Sequence, residues 1–202
     1  MILSSTKDTM PDLEVLKRKL HIKRPIELEK LQAVIDKAIT VLRPSYAFKK
    51  LVFSEEADLK KQIEISKSLS EALAKATEGF VVICTLGEDV CKQLSEYQRS
   101  GDMVSAMYLD SFLSEAVENL AEYSGLELLE RFYGSAYVLG KRYSPGYGDL
   151  SLDFQKSIFS LFDEKEIEVK ISSKNYMQPE KSISYIVAAI DLNARKIKNI
   201  YE

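Results

Sequence analysis

The sequence predicts an α+β domain, on three observations. The order of its apolar-periodic segments is irregular and shows neither internal repeat nor regular strand–helix alternation. Residues 166–171 alternate strictly, with Ile167, Val169 and Ile171 on one face and Glu166, Glu168 and Lys170 on the other. That is a half-buried strand of the kind antiparallel sheets use. Long helical periodicities separate the strand-like runs.

In chain order, Pro25 opens a helix whose stripe is Leu28, Leu31, Ile35, Ala38 and Leu42, and Pro44 stops it. A strand is expected at 48–53, a second one including Ile63 and Ile65, a short helix at 69–76 and a buried strand at 80–84. Gly87 turns the chain into a helix at 89–98. Ser100-Gly101-Asp102 breaks it, with Asp102 placed as an N-cap. The next helix is long, with Ala106, Leu109, Leu113, Val117 and Leu120 on one face, and Gly125 is expected to interrupt it before 126–133. Small residues on it (Ser105, Ala106, Ser111, Ser114, Ala116) permit close approach of another element. A strand at 137–143 leads into the loop 144–149. Phe154, Ile158, Leu161 and Phe162 mark another helix, 182–190 a last strand and 195–202 a charged tail.

Composition narrows the function. With 202 residues, 46% of them hydrophobic, the chain fits one compact unit with a helical N-terminal arm at 1–45 and a main domain at 46–202. The 28 basic and 31 acidic side chains nearly cancel, so no field for nucleic acid is expected. The apolar runs 80–84 and 186–190 are too short to cross a bilayer, and 1–12 lacks the features of a signal peptide. A cytoplasmic protein is expected. Cys84 and Cys91 read as small hydrophobes in a reducing compartment, with a redox pair as the alternative. His21 is the single histidine and reads as a solvated surface residue; no catalytic triad and no metal site is expected.

The segment Lys141-Arg142-Tyr143-Ser144-Pro145-Gly146-Tyr147-Gly148-Asp149 is the most unusual. It offers a guanidinium at the end of a strand, able to grip a carboxylate with two parallel hydrogen bonds. Gly146 permits a backbone path that brings amides near a ligand, and Tyr147 presents a ring face to adenine or a sulfonium. The same residues also suit a tight surface turn in which Asp149 caps the next helix.

This segment resembles the Arg-x-x-x-Gly-Tyr signature of the S-adenosylmethionine (AdoMet)-binding activation domain of cobalamin-dependent methionine synthase. It is closest in pattern to the stand-alone form, with Arg142, Ser144, Pro145, Gly146, Tyr147, Gly148, Asp149, Leu152 and Gln155 in register. Residues 177–184, Met-Gln-Pro-Glu-Lys-Ser-Ile-Ser, are similar to the family's Met-x-Pro-x-Lys-Ser-Val-Ser element. Thr85-Leu86-Gly87 and the long helix from Gly101 resemble further family features, so the likeness spans roughly residues 47–190.

The resemblance implies a twisted antiparallel sheet with flanking helices that binds AdoMet. It implies a reactivation subunit supporting reductive methylation of cob(II)alamin on a separate methionine synthase chain, part of that methyltransferase activity and not catalytic alone. Arg142 would hold the methionine carboxylate, and Ser144, Pro145, Gly146 and Tyr147 would line the ligand. Tyr185 is the nearest counterpart of the family's later tyrosine contact. Glu115 and Glu118 fall near positions that face cobalamin. The family's glutamate before the motif arginine has no counterpart in 137–141. No Asp-x-His-x-x-Gly motif is present, so the cobalamin arrives on the partner chain, with a reductant such as a flavodoxin or ferredoxin. A sensor or interaction module for another corrinoid methyltransferase is the alternative. One histidine suffices for such a role, because methyl transfer from a sulfonium to a strong nucleophile needs alignment rather than a base.

Overall fold

A computed structural model of the chain describes residues 1–55, 63–74 and 76–193. The first elements are β1 (Ile2–Leu3), α1 (Leu13–Lys19), α2 (Pro25–Val41), β2 (Ser45–Val52), α3 (Lys67–Leu73) and β3 (Glu78–Thr85). Then come α4 (Glu88–Ser100), α5 (Met103–Phe132), β4 (Tyr137–Leu139), α6 (Phe154–Phe159), β5 (Lys170–Ile171), β6 (Met177–Gln178) and β7 (Ser182–Asp191).

The main sheet has five strands in the order β1-β2-β3-β7-β4. β1 pairs antiparallel with β2, and β4 with β7. Arg43 N–H donates to Leu86 O and Phe53 N–H to Thr77 O, each 3.0 Å, so β2 and β3 run in opposite directions. Leu86 N–H meets Lys181 O at 3.0 Å while Gly79 lies against Val187 and Ala188, which sets β7 antiparallel to β3. The fold is thus an antiparallel sheet with flanking helices, α+β as the sequence predicts. In β3 every residue from Gly79 to Thr85 is buried, the mark of a central strand covered on both faces.

Local chemistry starts and stops the helices, at Asp102 and Gly101 as the sequence predicts and also at Asp12 and Ser66. Asp12 caps α1 through Glu14 N–H (2.8 Å), and Asp102 caps α5 through Ser105 N–H (3.1 Å). Ser66 caps α3 through Leu69 N–H (3.2 Å). Gly101 closes α4 in the left-handed region at φ 79°.

Packing groups the described residues into two compact units. The first holds Met1–Tyr46, Cys84–Tyr123 and Met177–Ile183. Its core includes Leu16, Leu31, Ile35, Ala38, Leu42, Leu109, Phe112 and Leu113. The N-terminal segment is tied in by Lys19 to Glu115 (2.7 Å) and by Asn119 Nδ2 donating to Met10 O (3.1 Å). Two segments of the family resemblance meet here: Ser182 Oγ donates to Thr85 Oγ1 (2.8 Å), which also accepts from Gly87 N–H. Lys181 Nζ reaches Asp110 Oδ1 (2.6 Å) and Ser114 Oγ (2.9 Å), which accounts for one of the small residues on α5.

The second unit holds the described residues of Ala47–Ile83, Ser124–Tyr176 and Ser184–Glu202. Phe80, Val81, Val82, Ile83, Leu128, Phe154, Ile158 and the Tyr185–Ala189 run are buried in it. Phe48, Phe80 and Phe132 pack edge to face and tilted, with centroids 5.5–6.3 Å apart.

Several sequence expectations are corrected. Ile63 and Ile65 lie in a helical turn ahead of the Ser66 cap, not in a strand. α5 runs unbroken through Gly125. A Cβ there would sit 3.0 Å from Leu139 Cδ1 and 3.4 Å from Tyr185 Oη, so the glycine gives those side chains room within the helix. The strand at 137–143 is regular only for Tyr137–Leu139. The alternating run 166–171 forms strand only at Lys170–Ile171. Upstream of it Glu166 accepts from Asp163 N–H and from Lys49 Nζ, both at 2.8 Å, and that carboxylate holds a turn against the strand periodicity. The tail at 195–202 lies outside the described residues.

A Cβ at Gly79 would fall on the Val187 carbonyl oxygen and 3.0 Å from Ala188 Cα, both backbone atoms that do not yield. Gly79→Ala is therefore expected to lower the unfolding free energy by about 2–3 kcal/mol, read from the midpoint of urea denaturation.

Candidate ligand site at the edge strand

Among the described residues β4 is the outermost strand of the sheet, and its pairing with β7 slips by one residue. Tyr137, Val138 and Leu139 face Asp191, Ile190 and Ala189, and Gly140 N–H still donates to Ala188 O (2.9 Å). Pairing resumes at Tyr143, which faces Ile186, with bonds of 2.9 Å in both directions. Four steps along the edge strand therefore match three along β7, which is a β-bulge at 141–142.

The bulge decides where Arg142 points. In a regular strand its side chain would share a face with Val138 and Gly140. With the extra residue it turns to the face of Tyr185, and its guanidinium carbon lies 5.5 Å from the Tyr185 ring centroid. Tyr185 is fully buried and its hydroxyl lies 3.0 Å from Ser124 Oγ, so the ring forms a fixed platform for the cation. The structure thus places Tyr185 beneath Arg142 and away from the surface. Its hydroxyl is turned into the core.

The bend that follows is closed on itself. Gly146 adopts φ 88°, where a side chain would be strained, and Gly148 adopts φ 62°. Gly146 N–H donates to Leu150 O (2.8 Å) and Tyr147 N–H to Ser144 O (3.3 Å). These two amides are bonded within the loop. Pro145 is buried, Ser144 is half-buried, and the Tyr147 ring is 76% exposed. The loop is a stiff support for one projecting aromatic ring.

Asp149 does not cap the helix after it. Its carboxylate accepts from Ser66 Oγ (2.9 Å), from Ser68 N–H (3.0 Å) and from Ser68 Oγ, at the N-terminus of α3. Those bonds from Ser68 hold its pKa down at about 2. Gln155 of the first motif accepts a buried 2.9 Å hydrogen bond from Ser184 of the second, so the two sequence-separated motifs touch. Nothing in the sequence alone marks the link from Asp149 to Ser66 and Ser68, the Ser124–Tyr185 contact or the bulge, because in each the partner lies more than forty residues away.

Beside the bend lies a cavity of about 410 Å³ between α3 and the edge strand, with Glu71, Lys141 and Tyr143 among its walls. Glu115 and Glu118 belong to the other unit: Glu115 is paired with Lys19, and Glu118 is exposed on α5. His21 is exposed; Cys84 and Cys91 are not joined in a disulfide, and burial pushes the Cys91 pKa up. Among the described residues no cluster of His, Cys, Asp or Glu is set to hold a metal ion. No helix among them is long and apolar enough to cross a membrane.

No family model and no curated protein matches the chain. Among solved structures it is similar to the crystal structure of the MetH reactivation domain bound to AdoHcy, with a TM-score of 0.64 and 14% identity. The superposition covers 93% of this chain and 77% of that one. The chain therefore has the fold of that domain.

A depressed carboxylate stabilises the folded form above its ordinary pKa of 3.8, and loses that effect as pH falls through about 2. The Asp149 carboxyl carbon should titrate by NMR with a midpoint at about 2, and protection of the Ser68 amide should fall with it. Asp149→Asn should abolish the titration and leave that amide poorly protected across the acid range.

Proposed function

We propose that the chain binds AdoMet at the edge-strand bend and acts as a reactivation subunit for a cobalamin-dependent methionine synthase on a separate polypeptide. The observation that carries this is the bulge. It sets a guanidinium over a buried ring next to a glycine–tyrosine bend, on a fold shared with a domain solved with AdoHcy.

The residues fit the ligand's amino-acid end. Arg142 binds the carboxylate, held in place by Tyr185 and by the strand slip behind it. The Gly146 backbone contributes through its carbonyl, an acceptor for the α-ammonium, since its N–H is bonded to Leu150. Tyr147 offers its exposed ring to the adenine or the sulfonium. Bound AdoMet supplies an already activated methyl group. The protein's task is to orient it and exclude competitors, and alignment alone lowers a barrier by several kcal/mol, on the order of 7–11 at best.

The corrinoid and its reductant come from other chains: a cobalamin-binding methionine synthase and a flavodoxin or ferredoxin. In this reading the α5 face with Glu115 and Glu118 meets the corrinoid partner, in the cytoplasm. A second reading, an AdoMet sensor for another corrinoid methyltransferase, is favoured by one observation: residues 137–141 carry no acid before Arg142.

Two measurements test the proposal. Arg142→Ala is expected to weaken AdoMet binding by about 2 kcal/mol or more in calorimetry, because a charge-assisted two-point contact disappears. Mixed with reductant, methyl-labelled AdoMet and a methionine synthase lacking its own activation domain, the protein should carry label to the corrinoid. Label that never arrives while AdoMet still binds would overturn the reactivation role and leave the sensor reading.

A further inference from the structure

We infer that the groove between α2 and α4 docks an extended segment of a partner polypeptide, which the side chain of Gln93 recognises by its backbone amides. The groove belongs to the first packing unit and uses no residue of the edge-strand bend.

The two helices run antiparallel. Just past α2, Arg43 N–H donates to Leu86 O, just ahead of α4 (3.0 Å). Further back on α2, Lys37 Nζ sits 5.2 Å from the ring centroid of Tyr97, further along α4. Between them lies a cleft of about 280 Å³, with Lys37, Thr40 and Val41 on one side and Asp89, Lys92 and Gln93 on the other.

Gln93 is the anomaly in this cleft. It is 6% exposed, and neither its Nε2 nor its Oε1 has a hydrogen-bond partner. Buried side-chain amides are nearly always bonded, because a carboxamide withdrawn from water without replacement raises the free energy of the fold. An apolar side chain of the same size would fill the space without that cost. The amide is thus set for a contact that the chain does not make by itself.

The complement of a carboxamide is another amide. Gln93 carries donors and an acceptor in one plane. In an extended chain the N–H and C=O of one residue point to the same side, as they do toward a neighbouring strand. The terminal torsion of a glutamine is soft, so its amide plane can turn to meet both. Length agrees with this occupant. From Asp89 to Glu96 the groove wall runs roughly 10 Å along α4, at a helical rise of about 1.5 Å per residue. That accommodates about three residues of extended chain.

Charge adds no competing preference. At one end Lys92 is paired with Asp89 (3.2 Å), and at the other Lys37 and Glu96 bring opposite signs. Neither a polyanion nor a polycation is selected, and the uncharged backbone is. Val41, half-buried, gives a small side chain of the segment an apolar rest.

The test uses the full chain and two probes, N-acetyl-trialanine amide and the same peptide methylated at every nitrogen. In NMR titration the first should shift the side-chain NH2 signals of Gln93 and the backbone amides of Thr40 and Lys92. The methylated peptide, stripped of its N–H donors, should bind at least about tenfold more weakly. Gln93→Met should abolish the shifts at Thr40 and Lys92. It should also raise the midpoint of urea denaturation, since it removes an unpaired amide and keeps the volume. Equal binding of the two peptides, shifts that persist in Gln93→Met, or wild-type signals indifferent to the first peptide would each overturn the docking site. So would a lower urea midpoint in Gln93→Met, the mark of an amide already satisfied by solvent within the fold. None of these outcomes bears on AdoMet binding at the bend.

Discussion

One extra residue in an outermost strand fixes the direction of the only guanidinium in the motif. Strand geometry alternates side chains between two faces without exception, so a slip of one position moves everything beyond it to the other side. Here the slip lies between Gly140 and Tyr143, and it brings Arg142 onto the Tyr185 ring. The surrounding structure serves that placement. Ser124 anchors the tyrosine hydroxyl, and Gly125 leaves room for it and for Leu139.

Much of the architecture is legible in the sequence because it rests on local signals. The cap at Asp102, the glycine stop at 101 and the apolar stripes of α2 and α5 are encoded within a turn or two of the backbone. Expectations failed where a distant partner overrules the local pattern. The helix passes Gly125 because its neighbours need the missing methyl. The alternation at 166–169 gives way because Lys49 and the Asp163 amide claim the Glu166 carboxylate.

The candidate site divides the same way. Arg142, Gly146 and Tyr147 stand out as residue types, and the bend they form is the one the sequence suggests. Its energetic wiring was hidden. Asp149 binds the start of α3, more than eighty residues upstream, and Gln155 binds Ser184 on the last strand. The amides of Gly146 and Tyr147 close the loop. A loop so constrained has little backbone freedom left to lose.

Gly125 has a bearing beyond packing. The Tyr185 hydroxyl and Leu139 both rest on the bare backbone at that point of α5, and the same tyrosine ring carries the cation. A single methyl added at 125 would press on that ring and shift the guanidinium above it without touching any group exposed to solvent. Natural or engineered variation there would thus move the guanidinium from underneath, from a position that surface comparison alone would pass over.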